Sequence, residues 1–151
     1  MDDVRYPKRK HPRMKHYDYA TPGYYFVTIC THDKMCLFGK PQQLNSIGQK
    51  AKDALEEIPV HFLGVSIDKY VVMPNHIHAI IILTGHTVDL STIVGSYKAF
   101  VAKEVHKSFP DITVWQASFH DHVIRDQKGY EHIWTYIDTN PQQWENDCFY
   151  V

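Results

Sequence analysis

Several absences narrow the class of this chain before any motif is read. No run of about 18 apolar residues occurs, so no bilayer-crossing helix is expected, and the charged start Met1-Asp2-Asp3 lacks the apolar core of a secretory signal. Both point to the cytoplasm. Cysteine is scarce: Cys30, Cys36 and Cys148 form an odd set with no Cys-x-x-Cys pair, which argues against a disulfide framework or a zinc ribbon and for reduced, mostly structural thiols. Net charge is close to zero, −1 over 151 residues, so the chain is not built to coat duplex DNA by charge alone. Repeats and low-complexity tracts are missing too. What remains is 44% hydrophobic and 13% aromatic, too apolar for disorder and of a size for one domain with a real core.

Charge is unevenly spread. Residues 1–20 read as a basic arm, with Arg5, Lys8, Arg9, Lys10, Arg13 and Lys15 against Asp2 and Asp3 and with histidines and tyrosines interleaved. Such a segment can follow phosphates and stack on bases, or can be a solvated tail. Residues 21–151 read as the single domain.

Within it, Tyr24 to Thr31 is rich in aromatic and β-branched residues and predicts a strand, with Met35 to Phe38 as a hairpin partner closed by Gly39. Ile47, Ala51, Leu55 and Ile58 line one side of an amphipathic helix over 46–58. Val65 to Val72 and His76 to Leu83 read as strands joined at Pro74-Asn75. Asp89 or Ser91 can cap a helix whose apolar side is Leu90, Ile93, Val94, Tyr97, Val101 and Val105. Phe119 to Arg125 predicts another strand, and Asp126 to about Thr139 a last helix stopped before Pro141. The order β-β-α-β-β-α-β-α implies an α+β fold of ferredoxin-like type: an antiparallel sheet with helices on one face and a C-terminal helix.

One run carries chemistry. His76-Ile77-His78 opens an otherwise aliphatic strand, and residues two apart on a strand point the same way, roughly 6.5–7 Å apart. Both imidazoles can reach one metal ion, or can merely cap the strand end; the pair by itself leaves both open. On the last helix Tyr136 and Asn140 lie one turn apart on one face, with His132 a turn earlier. A hydroxyl nucleophile with a neutral oxygen ligand fits that spacing, as does a packed ring followed by a helix cap.

Taken together, Met73-Pro74-Asn75-His76-Ile77-His78, Ile93-Val94-Gly95-Ser96-Tyr97-Lys98, Trp115-Gln116 with His122-Val123-Ile124-Arg125, and Tyr136-Ile137 with Asn140-Pro141 resemble the single-tyrosine HUH transposases, and more closely their REP-associated tyrosine transposase branch. Gly23-Tyr24-Tyr25-Phe26-Val27-Thr28 and the basic arm are similar to that branch as well. The resemblance implies a nuclease and strand transferase acting on single-stranded or hairpin DNA in the bacterial cytoplasm or nucleoid. It maps a divalent metal, Mg²⁺ or Mn²⁺, to His76, His78 and Asn140, and maps the nucleophile that forms a 5′-phosphotyrosine to Tyr136. In some relatives the residue at the Asn140 position is glutamine. Lys98, Arg125 and the arm residues are candidate phosphate contacts, and His122 and His132 are candidates for proton transfer. Some relatives are homodimers that exchange tyrosine helices and others are monomers, and the residues do not choose between them. A DNA-binding regulator without cleavage and a metal-dependent hydrolase that activates water are the competing functions.

Overall fold

The computed structural model describes Met14, residues 17–86 and residues 88–151. Its main sheet contains β1 (Gly23–Cys30), β4 (Val65–Met73), β5 (His76–Leu83) and β6 (His120–Ile124), in the spatial order β4-β5-β1-β6 with every neighbouring pair antiparallel. Between β1 and β4 come a short hairpin, β2 (Gly39–Lys40) and β3 (Gln43–Leu44), and the helices α1 (Ser46–Glu56) and α2 (Ile58–His61). Helix α3 (Leu90–His106) links β5 to β6, and α4 (Gln127–Thr139) follows β6. Two interleaved β-α-β crossovers around an antiparallel sheet are the expected ferredoxin-like arrangement.

Strand alternation divides the sheet into two faces. Tyr25, Val27 and Ile29 of β1 and Ile77, Ala79, Ile81 and Leu83 of β5 point to one face, where they pack with Ile47, Ala51 and Leu55 of α1 and with the apolar side of α3. At roughly 1.5–3 kcal/mol for each fully buried large aliphatic side chain, this layer supplies most of the folding free energy. The opposite face carries a smaller cluster, in which Phe26 and Ile80 meet Ile133 and Ile137 of α4. The helices start where their side chains can cap them: Asn45, Asp89 and Asp126 each accept a hydrogen bond from the backbone N–H three residues on. None of the helices among the described residues is long and apolar enough to cross a membrane.

The expected strand at Met35–Phe38 does not form. β1 is already flanked by β5 and β6, so both of its hydrogen-bonding edges are taken. A 3-10 turn at His32–Lys34 leads instead to Phe38, whose ring is fully buried, whose N–H donates to the Pro74 carbonyl and whose carbonyl accepts from Asn45. The helix expected over 46–58 breaks at Glu57, and Pro59 sits in the first turn of the separate α2. Pro141 does end α4, although the chain continues as 3-10 turns over Asn140–Asn146. Part of the expected arm is docked: Tyr19 is buried in the main core, and Tyr17 packs beside it with its hydroxyl 3.1 Å from that of Tyr25.

Two glycines in helices give opposite expectations. An added Cβ at Gly48 would lie 2.3 Å from the Phe38 carbonyl oxygen, whereas one at Gly95 meets nothing within 4 Å. Gly95→Ala is expected to raise the melting temperature, by the roughly 0.5–1 kcal/mol a helix gains on losing a glycine. Gly48→Ala is expected to lower it despite the same propensity gain. Paired thermal melts check this, and a stabilised Gly48→Ala would refute the close approach.

Candidate metal and nucleophile site

The two-residue Pro74-Asn75 turn sets β5 beside β4 so that Met73 faces His76 across the hairpin. His76 and His78 then share the α4 face of the sheet with Phe26 and Thr28, both are fully buried, and their ring centroids are 4.5 Å apart. Each ring is oriented through its Nδ1. Thr28 Oγ1 lies 2.7 Å from His78 Nδ1. The Asn75 amide donates through Nδ2 to the carbonyls of Lys34 and Phe149, which turns its Oδ1 toward His76 Nδ1 at 2.8 Å. Because a carbonyl oxygen only accepts, His76 carries its proton on Nδ1 and presents a lone pair on Nε2. Fixing the tautomer by a hydrogen bond on the far nitrogen is how proteins prepare histidine as a ligand.

Helix α4 brings the second half of the site. Ile133 and Ile137 bury its apolar side on Phe26 and Ile80, which swings Tyr136 over the histidines: its ring centroid is 5.3 Å from that of His78 and 6.3 Å from that of Phe26. One turn on, buried Asn140 donates through Nδ2 to Asp147 Oδ2 at 2.7 Å. The Asp147 side chain is itself buried, with Oδ2 3.7 Å from His76 Nε2 and Oδ1 accepting from the Phe149 N–H. Phe149 stacks 4.5 Å from His76. Thr135, Tyr136, Thr139, Asn140, Gln143 and Asp147 line most of a cleft of about 310 Å³ beside this cluster.

Three buried polar atoms lack any hydrogen-bond partner among the described residues, namely His76 Nε2, His78 Nε2 and Asn140 Oδ1. An unpaired buried polar group costs about 1–3 kcal/mol, so three at one place call for a missing partner. The ring nitrogens of His76 and His78 and a carboxylate oxygen of Asp147 all lie within 4.8 Å of one another, against the roughly 4.2 Å that separates two ligands opposed across a small octahedral ion. The group therefore fits a divalent metal after a small contraction. Protonation is also right for it. Burial lowers the His76 pKa to about 4 against the pull of Asp147, and burial followed by the proximity of His76 holds His78 well below the usual histidine range. Both rings are neutral near pH 7.

His76, His78, Tyr136 and Asn140 lie within the stretch of the chain, residues 23–140, that matches the family of IS200-like transposases, and Asp147 follows it. The chain belongs to that family. An uncharacterised Haemophilus influenzae protein is 38% identical to it, across 95% of this chain and 93% of the relative. A second protein of that organism, named for the REP-associated tyrosine transposases, is 23% identical across 82% of this chain and 73% of its own length. Among solved structures, a REP-associated tyrosine transposase bound to a REP hairpin superposes with a TM-score of 0.67 at 24% identity, covering 87% of this chain and 73% of the other. A Deinococcus radiodurans protein described as a transposase gives 0.57 at 18% identity, covering 84% and 95%. The REP-associated branch is the one the chain resembles.

The other residues expected of such a transposase are placed unevenly. His122 lies opposite Phe26 on β6, and so on the site face of the sheet, while His132 is on α4 a turn before Tyr136; both are exposed. Lys98 donates to the carbonyls of Gln116 and Ser118 at 2.8 and 2.7 Å, tying α3 to the segment before β6. Arg125 is exposed at the end of β6. Arg5, Lys8, Arg9, Lys10, Arg13 and Lys15 lie outside the described residues. Asp147 was missed because it follows an irregular segment with no period to place it; an acidic residue seven positions after Asn140 was the available signal. Cys30 is buried, which pushes its thiol up to about 12, as suits a structural cysteine.

Asn75→Ala removes the group that fixes the His76 tautomer without touching a donor atom of the cluster. Calorimetric titration with Mn²⁺ is expected to show affinity reduced by about 10- to 100-fold relative to wild type. Equal affinity would show that His76 is oriented by packing alone.

Proposed function

We propose that this protein cuts and rejoins single-stranded DNA, with Tyr136 as the nucleophile and a divalent metal, Mg²⁺ or Mn²⁺, held by His76, His78 and Asn140 and joined by Asp147. The observation that carries the reading is the coincidence of three buried, partnerless donor atoms with a tyrosine ring 5.3 Å from His78 in the same chain. Support for the DNA class comes from family membership and from the solved relative bound to a REP hairpin. No second subunit is needed to bring the tyrosine to the histidines, which favours a site completed within one chain.

The residue types suit the reaction. When bound, a divalent ion offsets the negative charge of a phosphodiester as the attack develops. The neutral imidazoles of His76 and His78 are ready to donate lone pairs without first losing protons. Tyr136, whose hydroxyl has a reference pKa of about 10, must give up a proton as it attacks, and His132 on the preceding turn or His122 on the sheet face would receive it. Attack at phosphorus by the Tyr136 oxygen forms a 5′-phosphotyrosine and releases a 3′-hydroxyl. The phosphoester is exchanged rather than hydrolysed, so another 3′-hydroxyl can reverse the step and transfer the strand without ATP. The cleft beside Tyr136 and Asn140 offers room for the scissile backbone, with the side chains of Thr135, Thr139 and Gln143 as hydrogen-bonding groups on its walls.

Labelled hairpin DNA with a single-stranded flank, incubated with protein and Mn²⁺, is expected to give a covalent adduct that survives SDS. Tyr136→Phe should abolish the adduct while retaining DNA binding, and His76→Ala should abolish cleavage. Cleavage without an adduct would identify a water-activating hydrolase in place of a transferase. Binding with neither cleavage nor adduct would identify a regulator.

A further inference from the structure

A second cleft of about 360 Å³ opens at the other end of α4, lined by Tyr24, Ile124, Arg125, Asp126, Gln127 and Tyr130. It lies on the same sheet face as the histidines. Tyr24 and Ile124 are cross-strand partners in the row next to Phe26 and His122, and Phe26 touches Tyr136. Along α4, Tyr130 precedes Tyr136 by six residues, or about 9 Å. Two sugar-phosphate units of an extended strand bridge such a gap.

The walls carry an open aromatic ring, a guanidinium and an amide, groups that can contact a base and its phosphate. Tyr24 stays 41% exposed on the sheet face that α4 partly covers. It is also held still: Tyr130 meets it edge to face, with centroids 5.6 Å apart at 90°, and the Tyr130 hydroxyl is anchored on Asp68 at 2.5 Å, at the bulge that interrupts β4. A fixed, open phenol ring is a stacking surface that loses little entropy on binding. Arg125 adds a guanidinium that can take a phosphate or lie on a base. The Gln127 amide offers both donor and acceptor to a base edge, although its Nε2 is 3.3 Å from Glu131 Oε1. The Asp126 carboxylate caps Gly129 and adds acceptor capacity at the rim. A base inside a duplex is stacked on its neighbours and cannot enter; an unpaired one can.

We propose that this cleft binds one unpaired nucleotide flanking the scissile phosphate, with its base stacked on Tyr24 and its phosphate on Arg125. The proposal rests on reading the protein as a single-strand DNA transferase and adds to it the place where the flank is gripped.

The test uses the full chain and two fluorescein-labelled hairpins, one with a single-stranded flank and one with a blunt end, compared by anisotropy without added metal. Tyr24→Ala and Arg125→Ala are each expected to weaken binding of the flanked hairpin by about tenfold, with the loss confined to that probe. In wild type, 2-aminopurine walked along the flank should be quenched at one position, which tests the site even if a variant misfolds. Equal losses on both hairpins, no loss on either, or uniform 2-aminopurine emission would overturn the subsite alone, provided the wild type binds the flanked hairpin. Failure of the wild type to bind either hairpin would overturn the transferase reading and the subsite with it.

Discussion

Two imidazoles taken wholly out of water on a central strand are the constraint around which the rest of the structure is arranged. β5 is aliphatic from Ala79 onward and buried almost throughout, so His76 and His78 sit where a polar nitrogen without a partner is penalised by about 1–3 kcal/mol. Their Nδ1 atoms are satisfied by Asn75 and Thr28, and only the Nε2 atoms are left over. Together with the partnerless Asn140 oxygen beside them, they form a donor set of the kind that holds a divalent cation.

The two faces of the sheet divide the labour between stability and chemistry. α1 and α3 cover one face with a large apolar layer, while α4 rests on the other through Ile133 and Ile137. Among the described residues α4 is tied to β4 as well by Val71 against its apolar cluster, by the Tyr130–Asp68 hydrogen bond, and by Lys69, which pairs with Asp138 and lies 4.0 Å from the centre of the Trp134 ring; an ion pair so open to solvent adds at most about 1 kcal/mol. Placement of Tyr136 therefore depends on a few apolar contacts made at one end by Phe26 and Ile80. Those two residues alternate with the ones that build the main core, so the strands that stabilise the fold also aim the tyrosine.

Most of the architecture was legible because its signals are periodic. The helical spacing of Leu90 to Val105 and the unbroken apolar run after His78 leave few alternatives for α3 and β5, and Asp89 and Asp126 cap the helices they precede. The failures are of another kind. Met35 to Phe38 has strand composition, yet pairing is decided by which edges of β1 are open, a global property that no local window contains. Lys98, a candidate phosphate contact, also has its ammonium on the carbonyls of Gln116 and Ser118, a structural tie that its charge does not announce because a long side chain can satisfy backbone groups far away in sequence. Asp147 escaped notice for a similar reason: its place beside His76 depends on an irregular reversal after α4 rather than on any spacing.

That reversal gives the site a closed logic. Asn140 holds Asp147, Asp147 approaches His76 and holds the Phe149 backbone, and the Phe149 carbonyl accepts from the same Asn75 amide that fixes the His76 tautomer. Each member is oriented by the next, and the circuit joins the start of β5 to the end of the described chain. Neither Asp147 nor Phe149 belongs to the apolar clusters on either face. Changes in this segment should accordingly alter the geometry and ionisation of the donor atoms while leaving the core intact, whereas changes at Phe26 or Ile80 must disturb both. The chemistry of the site and the stability of the domain are thus separable along the tail and inseparable along the strands.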